Sequence, residues 1–82
     1  MNTLNMHALT KTNDPKLWVR LIDNKSVSAK FFKDVDFSHY DKNWKGLFDC
    51  MAKLEEEGKE ISAVSIMLEG GYEMLKLYVN CW

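Results

Sequence analysis

The sequence has few of the features that mark a secreted or membrane protein. Only two cysteines, Cys50 and Cys81, occur among its 82 residues, whereas small secreted domains are usually dense in disulfides, so we expect two free thiols. No apolar run approaches the ~20 residues that a membrane span needs. The first residues, MNTLNMHALTKTND, lack the basic start and apolar middle of a secretory signal. These absences predict a cytoplasmic protein with no membrane partner.

The sequence also lacks an excess of charge of either sign. Its formal net charge is −1, so it has neither the strongly basic field typical of nucleic-acid binders nor the acidity of a whole-molecule DNA mimic. A chain of this length has room for one domain, which we place at 1–82. Because such a chain buries only roughly 60% of its unfolded surface, a deep catalytic pocket beside a core is difficult to build. We therefore expect no enzyme activity.

The clearest element that the sequence does contain is a helix. Five apolar residues recur at steps of three and four, as on one stripe of an α-helix: Trp44, Leu47, Phe48, Met51 and Leu54. Either Ser38 or Asp41 fits the start, and Gly58 fits the stop. The pattern predicts a helix from about Asp41 to Glu57.

Two segments flanking this helix are rich in residues that favour strands. In EISAVSIMLEGGYEMLKLYVNCW, the pair Gly70 and Gly71 is a standard hairpin turn. A two-residue loop there places Ile66 opposite Leu75 on an aliphatic face. Upstream, KLWVRLIDNKSVSAKFF reads as a second hairpin that turns at residues 23–26. Residues 1–13 alternate in polarity and are interpreted as a possible extra strand or arm.

This order of elements predicts an α+β fold. Two β-hairpins flank one α-helix and form a four- to five-stranded, largely antiparallel sheet, with the helix packed on one face.

One helix covers only one side of such a sheet, so the other side would expose aromatic and basic residues. The candidates for partner binding are Trp18, Arg20, Tyr72, Tyr78 and Trp82. Such a face could stack single-stranded RNA or DNA bases or grip a protein. It could equally be covered by residues 1–13 or by a second copy. The basic-aromatic signature of an RNA-recognition sheet is absent, which favours protein binding.

The predicted helix ends in a group of acidic residues where the helix dipole favours basic ones. They are Glu55, Glu56, Glu57 and Glu60. A clustered acidic corner would suit a basic partner surface, such as the nucleic-acid channel of a larger protein. The alternative is that glutamate serves here only as a good helix former that improves solubility.

No cofactor, metal or catalytic motif is present in the sequence. The potential zinc ligands His7, His39, Cys50 and Cys81 do not form the closely spaced pairs of zinc sites. The segment EGGY lacks the lysine and Ser/Thr of a phosphate loop. We therefore predict no cofactor, no metal and no catalytic residue.

These features lead to one functional hypothesis and one alternative. The favoured function is a small non-enzymatic protein-binding module, monomeric or homodimeric, that docks on a larger protein or ribonucleoprotein complex. Its specific form is an inhibitor of a nucleic-acid-handling host complex, of the phage anti-CRISPR or anti-restriction type, acting by steric or acidic-surface blocking. If a phage encodes the chain, we expect it in the host cell cytosol. The alternative is a small single-stranded RNA- or DNA-binding protein that uses the aromatic sheet face.

Overall fold

The computed structural model describes residues 14–82, and this part of the chain is helical. It contains α1 (Pro15–Asp23), a short 3-10 helix (Ala29–Phe32), α2 (Lys42–Glu56) and α3 (Ala63–Val79). The predicted α+β fold is therefore wrong, because residues 14–82 form no strand and no sheet. The possible strand or arm at 1–13 lies outside the described residues.

The first predicted hairpin is replaced by α1 and the 3-10 helix. The Asp14 carboxylate caps α1 by accepting hydrogen bonds from the backbone N–H of Lys16 at 3.2 Å and of Leu17 at 3.4 Å. Pro15 occupies the first helical position, where its missing N–H costs nothing. The buried side chains recur with helical spacing, because Pro15, Trp18, Val19 and Ile22 lie on one face.

The predicted central helix is confirmed in α2, within one residue at each end. Asp41 is the N-cap, and its carboxylate accepts a hydrogen bond from the backbone N–H of Asn43 at 2.9 Å. Gly58 has a φ of 73° and donates its backbone N–H to the carbonyl of Glu55 at 3.0 Å. A left-handed residue after the last turn is the common end of a helix. Four residues of the predicted stripe are buried: Leu47, Phe48, Met51 and Leu54.

The second predicted hairpin is a helix, α3, with one break. Ser62 caps its start, and the side chain of Ser65 accepts a reciprocal hydrogen bond from the Ser62 backbone at 2.8 Å. Gly71 has φ 84° and ψ −177°, a conformation essentially restricted to glycine. The chain therefore leaves the helix at Gly71, but it re-enters a helix and does not turn back as a strand.

The core forms where α2 packs between α3 and the 3-10 helix. Trp18 is only 1% exposed and lies at the centre of a group of aromatic side chains in this core. The Trp18 ring stacks on Phe32 at 5.2 Å between centroids and meets Phe37 and Phe48 edge-on at 6.2 and 6.1 Å. Such aromatic pairs stabilise a fold beyond the area that they bury.

Candidate functional site

The main exposed feature of residues 14–82 is an apolar surface on α3 and the residues after it. Leu68 is 82% exposed and Val64 is 68% exposed, and a group of large exposed apolar side chains is more informative than any one of them. We call the exposed set the α3 face. Its members are Val64, Met67, Leu68, Tyr72, Val79 and Trp82.

A different side of α3 packs into the protein's own core. Ile66 and Tyr78 are buried there, and Met74 is half-buried against the same cluster. The Tyr78 hydroxyl donates a hydrogen bond to the Asp23 carboxylate at 2.5 Å, which ties α3 to the end of α1. Burial and this hydrogen bond raise the pKa of Tyr78 above its usual range. These core residues are not members of the α3 face, and the two sets meet where the Trp82 ring contacts the Tyr78 ring edge-on at 5.0 Å between centroids.

The charged residues beside the α3 face are paired within the chain. Lys53 of α2 contacts Glu69 at 2.9 Å, and Lys76 contacts Glu73 at 3.6 Å. The Lys76 amine also lies 5.3 Å from the centre of the Tyr72 ring. The face is thus apolar, and its flanking carboxylates already have partners.

The predicted aromatic binding residues are divided between core and surface. Trp18 and Tyr78 are buried, so neither ring is available to a partner. Arg20 is exposed on α1, whereas Tyr72 and Trp82 are exposed on the α3 face. Since the sheet does not exist in residues 14–82, the aromatic sheet face does not exist there either.

The acidic residues at the end of α2 have separate roles. The Glu55 carboxylate accepts hydrogen bonds from the Ser28 hydroxyl at 2.7 Å and the Ala29 backbone N–H at 2.8 Å, so it caps the 3-10 helix. Glu57 contacts Lys59 at 3.2 Å. Glu56 and Glu60 are exposed. Of the predicted acidic corner, only these last two carboxylates lack a partner among the described residues.

A shallow cavity of about 430 Å³ lies beside Glu56, between the 3-10 helix and α2. Its rim carries four lysines: Lys30, Lys33, Lys45 and Lys53. Asp49 contacts Lys45 at 3.5 Å on the same rim. The acidic corner therefore borders a basic surface, which weakens the local negative potential that a basic partner would meet.

Neither cysteine is placed for nucleophilic chemistry. Both are free thiols, as the sequence predicted, and both are buried. Burial raises the pKa of Cys50 to about 11, with a further contribution from the Glu69 charge, and burial also raises the pKa of Cys81 to about 11. Both thiols are protonated near neutral pH, and the thiolate is the reactive form.

Residues 14–82 contain no cluster of three or more His, Cys, Asp or Glu side chains that could hold a metal ion. His7 lies outside the described residues. In the same part of the chain, no helix has both the length and the apolar character to cross a membrane.

The binding residues predicted from the sequence omit Val64, Met67 and Leu68 of the α3 face. The signal that could have identified the face is the spacing of Leu68, Tyr72, Leu75, Val79 and Trp82. Steps of four, three, four and three describe one side of a helix and are incompatible with strand alternation.

Comparison of this chain with protein-family models, curated proteins and solved structures finds no match.

Proposed function

We propose that this protein is a cytoplasmic, non-enzymatic protein-binding module whose principal binding surface is the α3 face. The observation that carries the proposal is the exposure of six large apolar side chains, five on α3 and Trp82 just after it. Contiguous apolar patches of several hundred Å² are rare on monomers unless they bind something. Tryptophan, tyrosine and methionine are also enriched in protein interfaces.

The specific form of the proposal is an inhibitor that docks on a nucleic-acid-handling host complex, of the anti-CRISPR or anti-restriction type. It blocks the complex sterically, and its exposed carboxylates engage Lys and Arg that otherwise hold nucleic acid. Glu56 and Glu60 support this form because they are exposed and lack partners among residues 14–82. Glu55 does not support it, because its carboxylate already accepts two hydrogen bonds.

The single-stranded nucleic-acid binder has less support. Its aromatic platform required Trp18 and Tyr78 on an open sheet, and both side chains are buried in a helical core. We therefore do not advance it as a second function.

The inhibitor proposal is tested by phage plaque counts on host strains that each carry one CRISPR–Cas or restriction system. Expression of the chain should restore plaques on at least one strain. Leu68→Glu/Tyr72→Glu should abolish the effect, because two carboxylates on the α3 face oppose apolar docking. Lys42→Glu is the matched control, since it also changes the charge by two at an exposed site and should leave plaque counts unchanged.

The acidic contribution is tested separately in the same assay. Glu56→Lys should reduce plaque recovery, whereas Asp34→Lys, an equal charge change at another exposed site, should not. Equal effects of these two variants would contradict acidic-surface blocking. Failure of the unmodified chain to restore plaques on any strain would contradict the inhibitor proposal itself.

A further inference from the structure

The α3 face has the residue spacing of a helix that packs against another helix. Four members of the face, together with the half-buried Leu75, follow one another in steps of four and three, which is the spacing of the contact stripe between paired helices: Leu68, Tyr72, Val79 and Trp82. Leu68 precedes the break at Gly71, and exposed apolar side chains follow it at Tyr72, Val79 and Trp82. Both parts of α3 therefore carry exposed apolar side chains in addition to the buried Ile66 and Tyr78.

The exposed area is close to what a stable interface requires from each partner. Judged from their exposed fractions, the six side chains of the α3 face leave on the order of 700 Å² open, and a standard interface buries ~800 Å² per partner. A second copy of the chain would cover one such face with another of equal size.

The charges around the face favour a second copy over a partner of opposite charge. Glu69 and Glu73 are paired with Lys53 and Lys76 of the same chain, so within residues 14–82 these flanking charges are already compensated. The net charge of −1 gives two copies little mutual repulsion. An apolar face with satisfied flanking charges can meet itself across a two-fold axis, as in most homodimers.

We propose that the α3 face is the interface of a two-fold symmetric homodimer, in which each copy occupies the face of the other. This inference rests on the proposed function in one respect, the assignment of the α3 face as a binding surface. Because one face cannot hold two partners at once, docking on a host complex then requires the dimer to separate.

The test is the mass of the full chain in solution, measured by light scattering after size-exclusion chromatography over a range of concentrations. We expect a species of twice the 9.6 kDa chain mass. Leu68→Glu/Tyr72→Glu should raise the dimer dissociation constant by at least about 100-fold, because each carboxylate would be buried without a partner. Lys42→Glu should remain dimeric, and circular dichroism should show unchanged helix content for both variants.

A second variant keeps the test decisive if the double glutamate variant fails to fold. Val64→Ser changes a residue of the α3 face that is 68% exposed and should also weaken the dimer. A chain that is monomeric at every concentration overturns the proposal, whether another protein or residues 1–13 cover the face. A dimer that resists all of these substitutions overturns it as well.

The outcomes of this experiment and of the plaque assay are distinguishable. A monomeric chain whose plaque recovery still depends on Leu68 and Tyr72 would refute the homodimer and leave the docking function standing. If the substitutions dissociate a dimer but the unmodified chain restores plaques on no strain, the interface is supported and the inhibitor proposal is refuted.

Discussion

At the scale of single residues, Glu55 shows how an acidic side chain at a helix end can be structural. Its carboxylate reaches across to the start of the 3-10 helix and accepts hydrogen bonds from Ser28 and Ala29. The carboxylate thus satisfies a backbone N–H that has no partner within its own helix, and a negative charge at a helix start is electrostatically favourable. This contact also joins segments 26 residues apart.

We predict that Glu55→Ala destabilises the protein and that Glu56→Ala does not. Loss of the cap should lower the free energy of unfolding by about 1–2 kcal/mol. Glu56 is exposed and one residue further along, so its truncation should change stability by less than ~0.5 kcal/mol. Urea unfolding followed by circular dichroism measures both values. Equal stabilities of the two variants would show that the Ser28 and Ala29 hydrogen bonds contribute little.

At the scale of elements, α2 could be predicted because its signals agree. The apolar spacing, the cap at Asp41 and the left-handed Gly58 all specify the same helix. In α1, the Asp14–Pro15 pair was a helix-start signal of the same kind. It was outweighed by the valine, isoleucine and tryptophan of a segment only nine residues long, in which helical and strand patterns overlap.

The sequence predicted a hairpin where α3 lies because of two adjacent glycines, Gly70 and Gly71. A Gly-Gly pair between β-rich runs is typical of hairpins, but here each glycine serves a helix. A Cβ on Gly70 would lie 2.5 Å from the Met74 Cγ and 3.3 Å from the Cys50 Sγ, so its absence permits close packing. Gly71 supplies the positive φ at the break. Ile66, Gly70 and Met74 recur at steps of four, and only tertiary packing shows which pattern prevails.

The contact between α1 and α3 gives a prediction at this scale. Tyr78→Phe removes the hydroxyl that donates to Asp23 and should lower the free energy of unfolding by about 1–2 kcal/mol, since the acceptor is charged and Tyr78 is buried. Tyr72→Phe removes a hydroxyl from an exposed ring and should change stability by less than ~0.5 kcal/mol. Urea unfolding of both variants at one protein concentration compares them directly. A similar loss in both would assign the effect to something other than this hydrogen bond.

At the scale of the whole molecule, the fold decides which side chains are exposed for binding, and the residue type alone does not. Trp18 and Trp82 are the same amino acid, yet one is 1% exposed and the other 59% exposed. The sequence predicted an exposed Trp82 at the end of a strand. The predicted exposure is confirmed, but the predicted strand is wrong. Which tryptophan joins the core is decided by the rings of Phe32, Phe37 and Phe48 around Trp18, and no local pattern encodes that assembly.

The stability of the whole molecule should fall in alkaline solution. Burial raises the pKa of both Cys50 and Cys81 from 9.0 to about 11, so the folded chain keeps two thiol protons that the unfolded chain releases. Because the folded state binds more protons between pH 9 and pH 11, its stabilisation is complete below pH 9 and is lost as the pH rises through this window. Urea midpoints measured under reducing conditions from pH 8 to pH 10.5 should therefore decline.

The matched comparison is Cys50→Ala/Cys81→Ala, which removes both thiols. Its baseline stability is lower because truncation leaves small cavities in the core, so the informative quantity is the slope of the urea midpoint against pH. We expect a shallower slope than in the unmodified chain, with a residual decline because the raised pKa of Tyr78 acts in the same direction. Equal slopes in the two proteins would mean that the buried thiols do not cause the loss of stability at high pH.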